Sequence, residues 1–131
     1  MFSVRVQTVF SAAHAITIAG TREPMHGHNW EVTATISGES LDSDGLLCDF
    51  HTVEEVLREI VSPFQNRNLN DVSPFDRVNP SAEHVARHIA EQLRTRLESA
   101  LAPHARVESV SVTEAPGCVA TYRPARTSLA P

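Results

Sequence analysis

Residues 21–30 read TREPMHGHNW, with two histidines around a single glycine, just after a turn-like stretch and just before a strand-like one. Alternate side chains of an extended chain share a face, so His26 and His28 project together. Two imidazoles converging on one point suggest a metal. A catalytic zinc usually takes three protein ligands and keeps one position open. His14, at the end of the run VFSAAH, is the best third candidate. It has the parity of Phe10, and an antiparallel neighbour would set it beside the other two. His84 and His88 stand four residues apart, a spacing at which a helix can pair two ligands. They lie beside an apolar stripe and read as solvated helix residues, while His51 and His104 border helices and suggest no chemistry.

Three histidines so far apart in sequence need paired strands to bring them together. Phe2, Val4, Val6 and Phe10 share one parity against Ser3, Arg5 and Gln7, the period of a half-buried strand. Trp30, Val32, Ala34 and Ile36 repeat it against Glu31, Thr33 and Thr35. These two strands are expected as antiparallel neighbours. If the second starts early, His26 and His28 continue its apolar face. Residues 38–45 read as a loop, and GLLCDF as a short apolar strand ending at Asp49. Val53, Val56, Leu57, Ile60 and Val61 recur at helical spacing from about Thr52, a reasonable N-cap, until Pro63. The stretch QNRNLNDVSPFDRVNP is polar, broken by prolines and long enough to be suspected of function. Asn79 with Pro80 signals a second helix, with Val85, Ala86, Ile89, Leu93, Leu97 and Leu101 on one side and Pro103 beyond its end.

Val107, Val110 and Val112 belong to a third strand, and CVATYR, after a turn at residues 115–117, to a fourth. The order β-β-α-α-β-β predicts an α+β domain, a four-stranded antiparallel sheet with two helices on one face, spanning residues 1–123. Residues 124–131 form a polar tail. The other face and the edges of such a sheet need cover, so a homo-oligomer is expected.

The bulk composition narrows the setting. At 131 residues the chain suits one domain. A balance of 11 basic against 16 acidic residues argues against a nucleic-acid surface. Every basic residue is arginine, which excludes lysine Schiff-base chemistry and a Walker-type phosphate loop. Cys48 and Cys118 are far apart and suit a reducing cytoplasm better than a disulfide framework. The N-terminus alternates apolar and polar residues, and no run approaches membrane-spanning length, so the expectation is a soluble cytoplasmic protein with no membrane partner.

The motifs FSAAH, HGHNW, GLLCDF, NRNLND, NPSAEH and VTEA occur in an order and spacing that resembles the family of 6-pyruvoyltetrahydropterin synthase and 6-carboxytetrahydropterin synthase, over residues 2–123. The resemblance implies a tunnelling fold, in which sheets of several subunits close into a barrel, commonly a hexamer of two trimers with active sites at subunit interfaces. It also implies Zn2+ on His14, His26 and His28, and a substrate similar to 7,8-dihydroneopterin triphosphate. It places the pterin-anchoring glutamate at Glu114 and a residue near the ring at Ser81. Glu114 fits from its own position too. It continues the parity of Val110 and Val112, so a carboxylate falls on an apolar face where burial is costly without donors, and a pterin's N–H and amino groups supply them. Arg67, in the polar loop, has the charge to meet a triphosphate.

Two departures stand out. Family members of the standard kind carry a catalytic cysteine shortly before the H-G-H motif, where this chain has Thr21, Arg22, Glu23, Pro24 and Met25. They also carry an Asp-His pair where this chain has Gln65 and Asn66. Glu23 is either a replacement base or an exposed loop acid. Some relatives have a glutamate near the usual cysteine, and the resemblance to them implies side-chain cleavage to 6-hydroxymethyl-7,8-dihydropterin. Three readings follow: a zinc lyase with Glu23 as base, a synthase of the 6-carboxytetrahydropterin (7-deazaguanine, queuosine) or 6-pyruvoyltetrahydropterin type, and a non-catalytic zinc- and pterin-binding module.

Overall fold

The computed structural model describes residues 1–126. The strands are β1 (Phe2–His14), β2 (Thr17–Ile18), β3 (Thr21–Arg22), β4 (His26–Gly38), β5 (Arg67–Asn68), β6 (Ala105–Ala115) and β7 (Cys118–Tyr122). The helices are α1 (Phe50–Val61) and α2 (Ala82–Leu101). One sheet runs in the order β5-β1-β4-β6-β7, and β2 with β3 forms a separate hairpin. The four long strands are antiparallel neighbours as expected. The sheet has a fifth member, because β5 adds two residues parallel to β1 at Ala12 and Ala13. The residues 124–131 read as a tail fall partly outside the described residues, which end at Arg126.

The alternation of β1 and β4 makes a sheet with one apolar face, and both helices cover it. Phe10, Trp30, Val32, Ala34, Ile36, Val110 and Val112 are buried against Val53, Leu57, Val85, Ile89, Leu93 and Leu97. Each such side chain contributes about 1.5–3 kcal/mol when fully buried. Phe10 and Trp30 sit opposite each other in the β1–β4 register and stack with ring centroids 5.8 Å apart. Val107 and Val110 differ in parity, yet both are buried. A β-bulge reconciles them: Thr35 pairs with Ser109 and Ile36 with Val107, leaving Glu108 as the extra residue.

Local side-chain hydrogen bonds move three predicted boundaries. GLLCDF is not a strand: the Asp42 carboxylate accepts the N–H groups of Asp44 and Leu46, both at 2.9 Å, and Gly45 takes a positive φ of 77°, so a turn replaces extended backbone. Helix α1 starts at Phe50, capped by Asp49, which accepts the His51 N–H at 2.8 Å, ahead of the expected Thr52. Helix α2 is capped by Ser81, whose Oγ accepts the His84 N–H at 3.2 Å. Asn79 is engaged elsewhere.

His88 is not a solvated helix residue. The segment after α1 folds back over α2, and the His88 ring packs against Phe64 and Phe75, with centroids 5.7 and 5.6 Å away. His84 is separately engaged, its Nδ1–H donating to the Asn79 carbonyl at 2.7 Å. Among the described residues, no helix is long and apolar enough to cross a membrane.

Burial pushes His88 below its ordinary value of 6.5. The folded chain therefore holds this proton less tightly than the unfolded chain. The associated stability is present above about pH 6.5 and is lost as pH falls through the lowered folded value. In urea titrations from about pH 7 to pH 5, the wild type is expected to lose more stability than His88→Leu. Parallel losses would show that His88 titrates alike in both states.

Candidate metal centre

The β1–β4 register carries the histidines together at one end of the sheet. His14 pairs across the strands with His26, and Ala12 with His28. All three histidines have the parity of the core residues Phe10 and Trp30, so their rings lie on the helix-covered face. Ring centroids are 4.7 Å apart for His14 and His26, 5.1 Å for His14 and His28, and 4.6 Å for His26 and His28. Trp30 packs edge-on against His14 and His28 and closes the cluster on the core side.

Glu114 completes the group. It is the extra residue of a second bulge in β6, where Thr113 pairs with Val119 and Ala115 with Cys118. Such a bulge re-aims a side chain. Its Oε1 lies 2.7 Å from His14 Nε2 and 3.2 Å from His28 Nε2. Ligand atoms from His14, His26, His28 and Glu114 all fall within 4.8 Å of one another.

The outward ring nitrogens define the tautomers. His14 Nδ1 lies 2.8 Å from the Pro80 carbonyl and His26 Nδ1 2.9 Å from the Pro24 carbonyl. A carbonyl only accepts, so each Nδ1 donates to it and each ring turns its Nε2 toward the cluster. The short distances to Glu114 do not satisfy these nitrogens: His14 Nε2 and His28 Nε2 are buried without an aligned hydrogen bond. Burial, reinforced by the neighbouring histidines and partly opposed by Glu114, holds His28 below its ordinary value and favours its neutral, ligating form. Three imidazole nitrogens and a carboxylate oxygen, all within 4.8 Å of one another, could hold a metal ion.

Glu23 stands at the rim, its Oε1 3.6 Å from His26 Nε2 and accepting the Ile16 N–H at 3.2 Å. Ser81 follows Pro80, and its hydroxyl is engaged in the α2 cap. Gln65 and Asn66 instead hold β1: the Ser11 N–H donates to Gln65 Oε1 at 3.1 Å, and the Asn66 N–H donates to the Ser11 carbonyl at 2.6 Å. Arg67 lines an open groove of about 640 Å³ with Asn66 and Asn68. Neither cysteine belongs to the cluster. Cys48 lies against α1 and α2 beside Val53 and Leu97, and Cys118 is exposed at the start of β7. Sequence reasoning missed the Pro80 and Pro24 carbonyls, since a main-chain acceptor leaves no mark in residue type. It also missed the direct approach of Glu114 to the ring nitrogens.

The sequence profile of the family described as 6-pyruvoyl tetrahydropterin synthase matches residues 3–125. The chain is 30% identical to 6-carboxy-5,6,7,8-tetrahydropterin synthase of Bacillus subtilis over 134 residues, covering 98% of this chain and 89% of that protein. It is 32% identical to human 6-pyruvoyl tetrahydrobiopterin synthase over 71 residues, 53% of this chain and 49% of that protein. Among solved structures, Caenorhabditis elegans 6-pyruvoyl tetrahydropterin synthase matches with a TM-score of 0.79 at 22% identity, covering 95% of this chain and 96% of that one. Plasmodium vivax 6-pyruvoyltetrahydropterin synthase, in a form whose catalytic glutamate is replaced by alanine, matches with a TM-score of 0.73 at 21% identity, covering 94% and 97%. The chain belongs to the 6-pyruvoyl tetrahydropterin synthase family, and its fold is the tunnelling fold.

Adding Zn2+ to the metal-free protein is expected to raise its melting temperature, with a stabilisation of about 2.7 kcal/mol at a hundredfold excess over Kd. His14→Gln is expected to abolish the shift. Glu114→Gln, which keeps the three nitrogens, is expected to retain it. A shift that survives His14→Gln would place the ion elsewhere.

Proposed function

We propose that the chain is a Zn2+-dependent lyase that acts on 7,8-dihydroneopterin triphosphate or a close pterin and cleaves its side chain to 6-hydroxymethyl-7,8-dihydropterin. Residues 1–123 act as a single pterin-binding domain. His14, His26 and His28 hold the ion, Glu114 anchors the pterin, Ser81 lies near the ring and Glu23 is the base. The observation that carries this reading is Glu23 at 3.6 Å from His26 Nε2, at the rim of a cluster formed by three histidines and Glu114. Family membership supports a pterin-processing enzyme, and the glutamate described as catalytic in the Plasmodium vivax protein supports a carboxylate in this role.

When bound, Zn2+ supplies Lewis acidity toward the two side-chain hydroxyls of the substrate. Glu114, beside the histidines at the end of β6, accepts hydrogen bonds from the pterin N–H and amino groups and fixes the ring. Glu23 takes the proton of the outer hydroxyl. The carbon–carbon bond between the two hydroxyl-bearing carbons then breaks, its electrons pass into the conjugated ring and the outer fragment leaves as an aldehyde. The protonated Glu23 holds the proton that the ring-side carbon must recover, so the step balances.

A second reading, a 6-carboxytetrahydropterin synthase, is favoured by the similarity to the Bacillus subtilis protein along 98% of this chain. The proposal extends to an oligomer of six chains, as two trimers whose sheets close into a barrel; the open edges support association between sheets, not its number. β1 is paired with β5 only at Ala12 and Ala13, β7 is the opposite edge, and Phe2, Val9 and Val119 are exposed on these strands. Two thiols outside any disulfide suit the cytoplasm.

The zinc-loaded protein is incubated with 7,8-dihydroneopterin triphosphate and its products identified by mass. The expected product is 6-hydroxymethyl-7,8-dihydropterin. A 6-carboxy or 6-pyruvoyl product would replace the proposal with a synthase, and bound pterin without product would indicate a binding module. Glu23→Gln is expected to lose about 10²-fold or more in turnover while retaining zinc. Unchanged turnover would remove Glu23 from the mechanism.

A further inference from the structure

Ala15 and Ile16 join the buried His14 to Thr17, the first residue of the β2–β3 hairpin, and each of the three is held by a residue distant in the chain or across the hairpin. Asn70 grips Ala15 twice: its Oδ1 accepts the Ala15 N–H at 2.8 Å, and its Nδ2 donates to the Ala15 carbonyl at 2.8 Å. Asn79 treats Thr17 in the same way, accepting its N–H at 2.9 Å and donating to its carbonyl at 3.1 Å. Between these grips, the Ile16 N–H donates to Glu23 Oε1 at 3.2 Å, and the Ile16 carbonyl accepts the Glu23 N–H at 2.9 Å. A side-chain amide offers both a donor and an acceptor, so each asparagine stands in for a neighbouring strand at one residue.

We propose that Asn70 and Asn79 are positioning residues with separate duties: Asn70 sets His14 for the metal, and Asn79 sets the Ile16–Thr17 backbone from which Glu23 takes its hydrogen bonds. The proposal rests on reading the histidine cluster as a metal centre and Glu23 as its base. Asn70 acts on the residue directly after His14. It sits in a short 3-10 turn, Leu69–Asp71, pinned to the core by the buried Leu69 and held locally by its own N–H on Asn68 Oδ1 at 3.1 Å. Pro80, from the same polar segment, fixes the far side of the His14 ring. One loop thereby holds the His14 imidazole through Pro80 and the residue after it through Asn70. Asn79 acts two residues further on, beside the Glu23 attachment, and is braced against α2 by its carbonyl on His84 Nδ1 at 2.7 Å.

Groups that orient a ligand without touching the metal are worth about 10–100-fold in affinity. A displaced base costs rate without loosening the metal. The test uses Asn70→Ala, Asn70→Asp, Asn79→Ala and Asn79→Asp in the full chain. Each variant is titrated with Zn2+ against a chromophoric chelator, loaded with Co2+ for its visible spectrum, melted in the metal-free form and assayed for turnover. The aspartate variants keep the acceptor and lose the donor, and carry the test if an alanine variant does not fold.

Asn70 variants are expected to bind Zn2+ about tenfold or more weakly and to alter the Co2+ spectrum. Asn79 variants are expected to keep both and to lower kcat more than they raise KM. Asn70 variants with wild-type affinity and spectrum overturn the proposal, even if their metal-free melting temperature falls, because that loss is structural only. Asn79 variants that weaken metal binding as much as Asn70 variants overturn the division of duties. If the wild type makes no product while the Asn70 effect on Zn2+ persists, the catalytic reading fails and the Asn79 duty with it, but the Asn70 duty stands.

Discussion

The pairing of β1 with β4, unbroken from Phe2 opposite Gly38 to His14 opposite His26, is the constraint on which the rest of the molecule depends. Side chains in a strand alternate, so a slip of one residue would send every buried residue of one strand to the other face. The register that stacks Phe10 on Trp30 is the same register that sets His14 against His26. The core and the cluster are therefore one specification. Trp30 ties them physically, lying against two of the histidines while its Nε1–H donates to the Ala12 carbonyl at 3.2 Å.

The orientation of the histidines is carried by main chain as much as by side chains. Both carbonyls that receive an N–H from a histidine of the cluster belong to prolines, Pro24 and Pro80. The ring of a proline holds its φ near one value and removes its N–H, so the peptide that presents each carbonyl has less freedom than an ordinary one. Around this rigid frame the charges are lopsided. Two carboxylates flank the three imidazoles, Glu114 within the cluster and Glu23 at its rim, and the buried Nε2 atoms of His14 and His28 have no hydrogen-bond partner.

The long periodic elements were legible because their signal repeats: four valine-, phenylalanine- or isoleucine-bearing strands and two striped helices occur where parity and helical spacing placed them. The convergence of His14, His26 and His28 was legible for the same reason, being a statement about parity. Glu114 was assigned to the correct face. What was illegible depends on single side chains competing with regular backbone. Asp42 turned an apolar run into a turn, Asp49 and Ser81 took the caps, and Asn70 and Asn79 did the work of strands. The parity of Val107 and Val110 could not be resolved without the bulge at Glu108. His88 was misread because the loop bearing Phe64 and Phe75 folds over it, a contact between segments that no local pattern records.

The sheet is apolar on one face and hydroxyl- and amide-rich on the other. On that second face Gln7 Nε2 donates to Thr33 Oγ1 at 3.1 Å, and Ser111 and Thr121 share a hydrogen bond at 2.7 Å. These pairs are exposed, whereas Val32 and Val112 are buried among close-packed neighbours. Each long strand thus reads as two interleaved texts. The buried text carries the histidines, and the polar text makes hydrogen bonds that none of them joins.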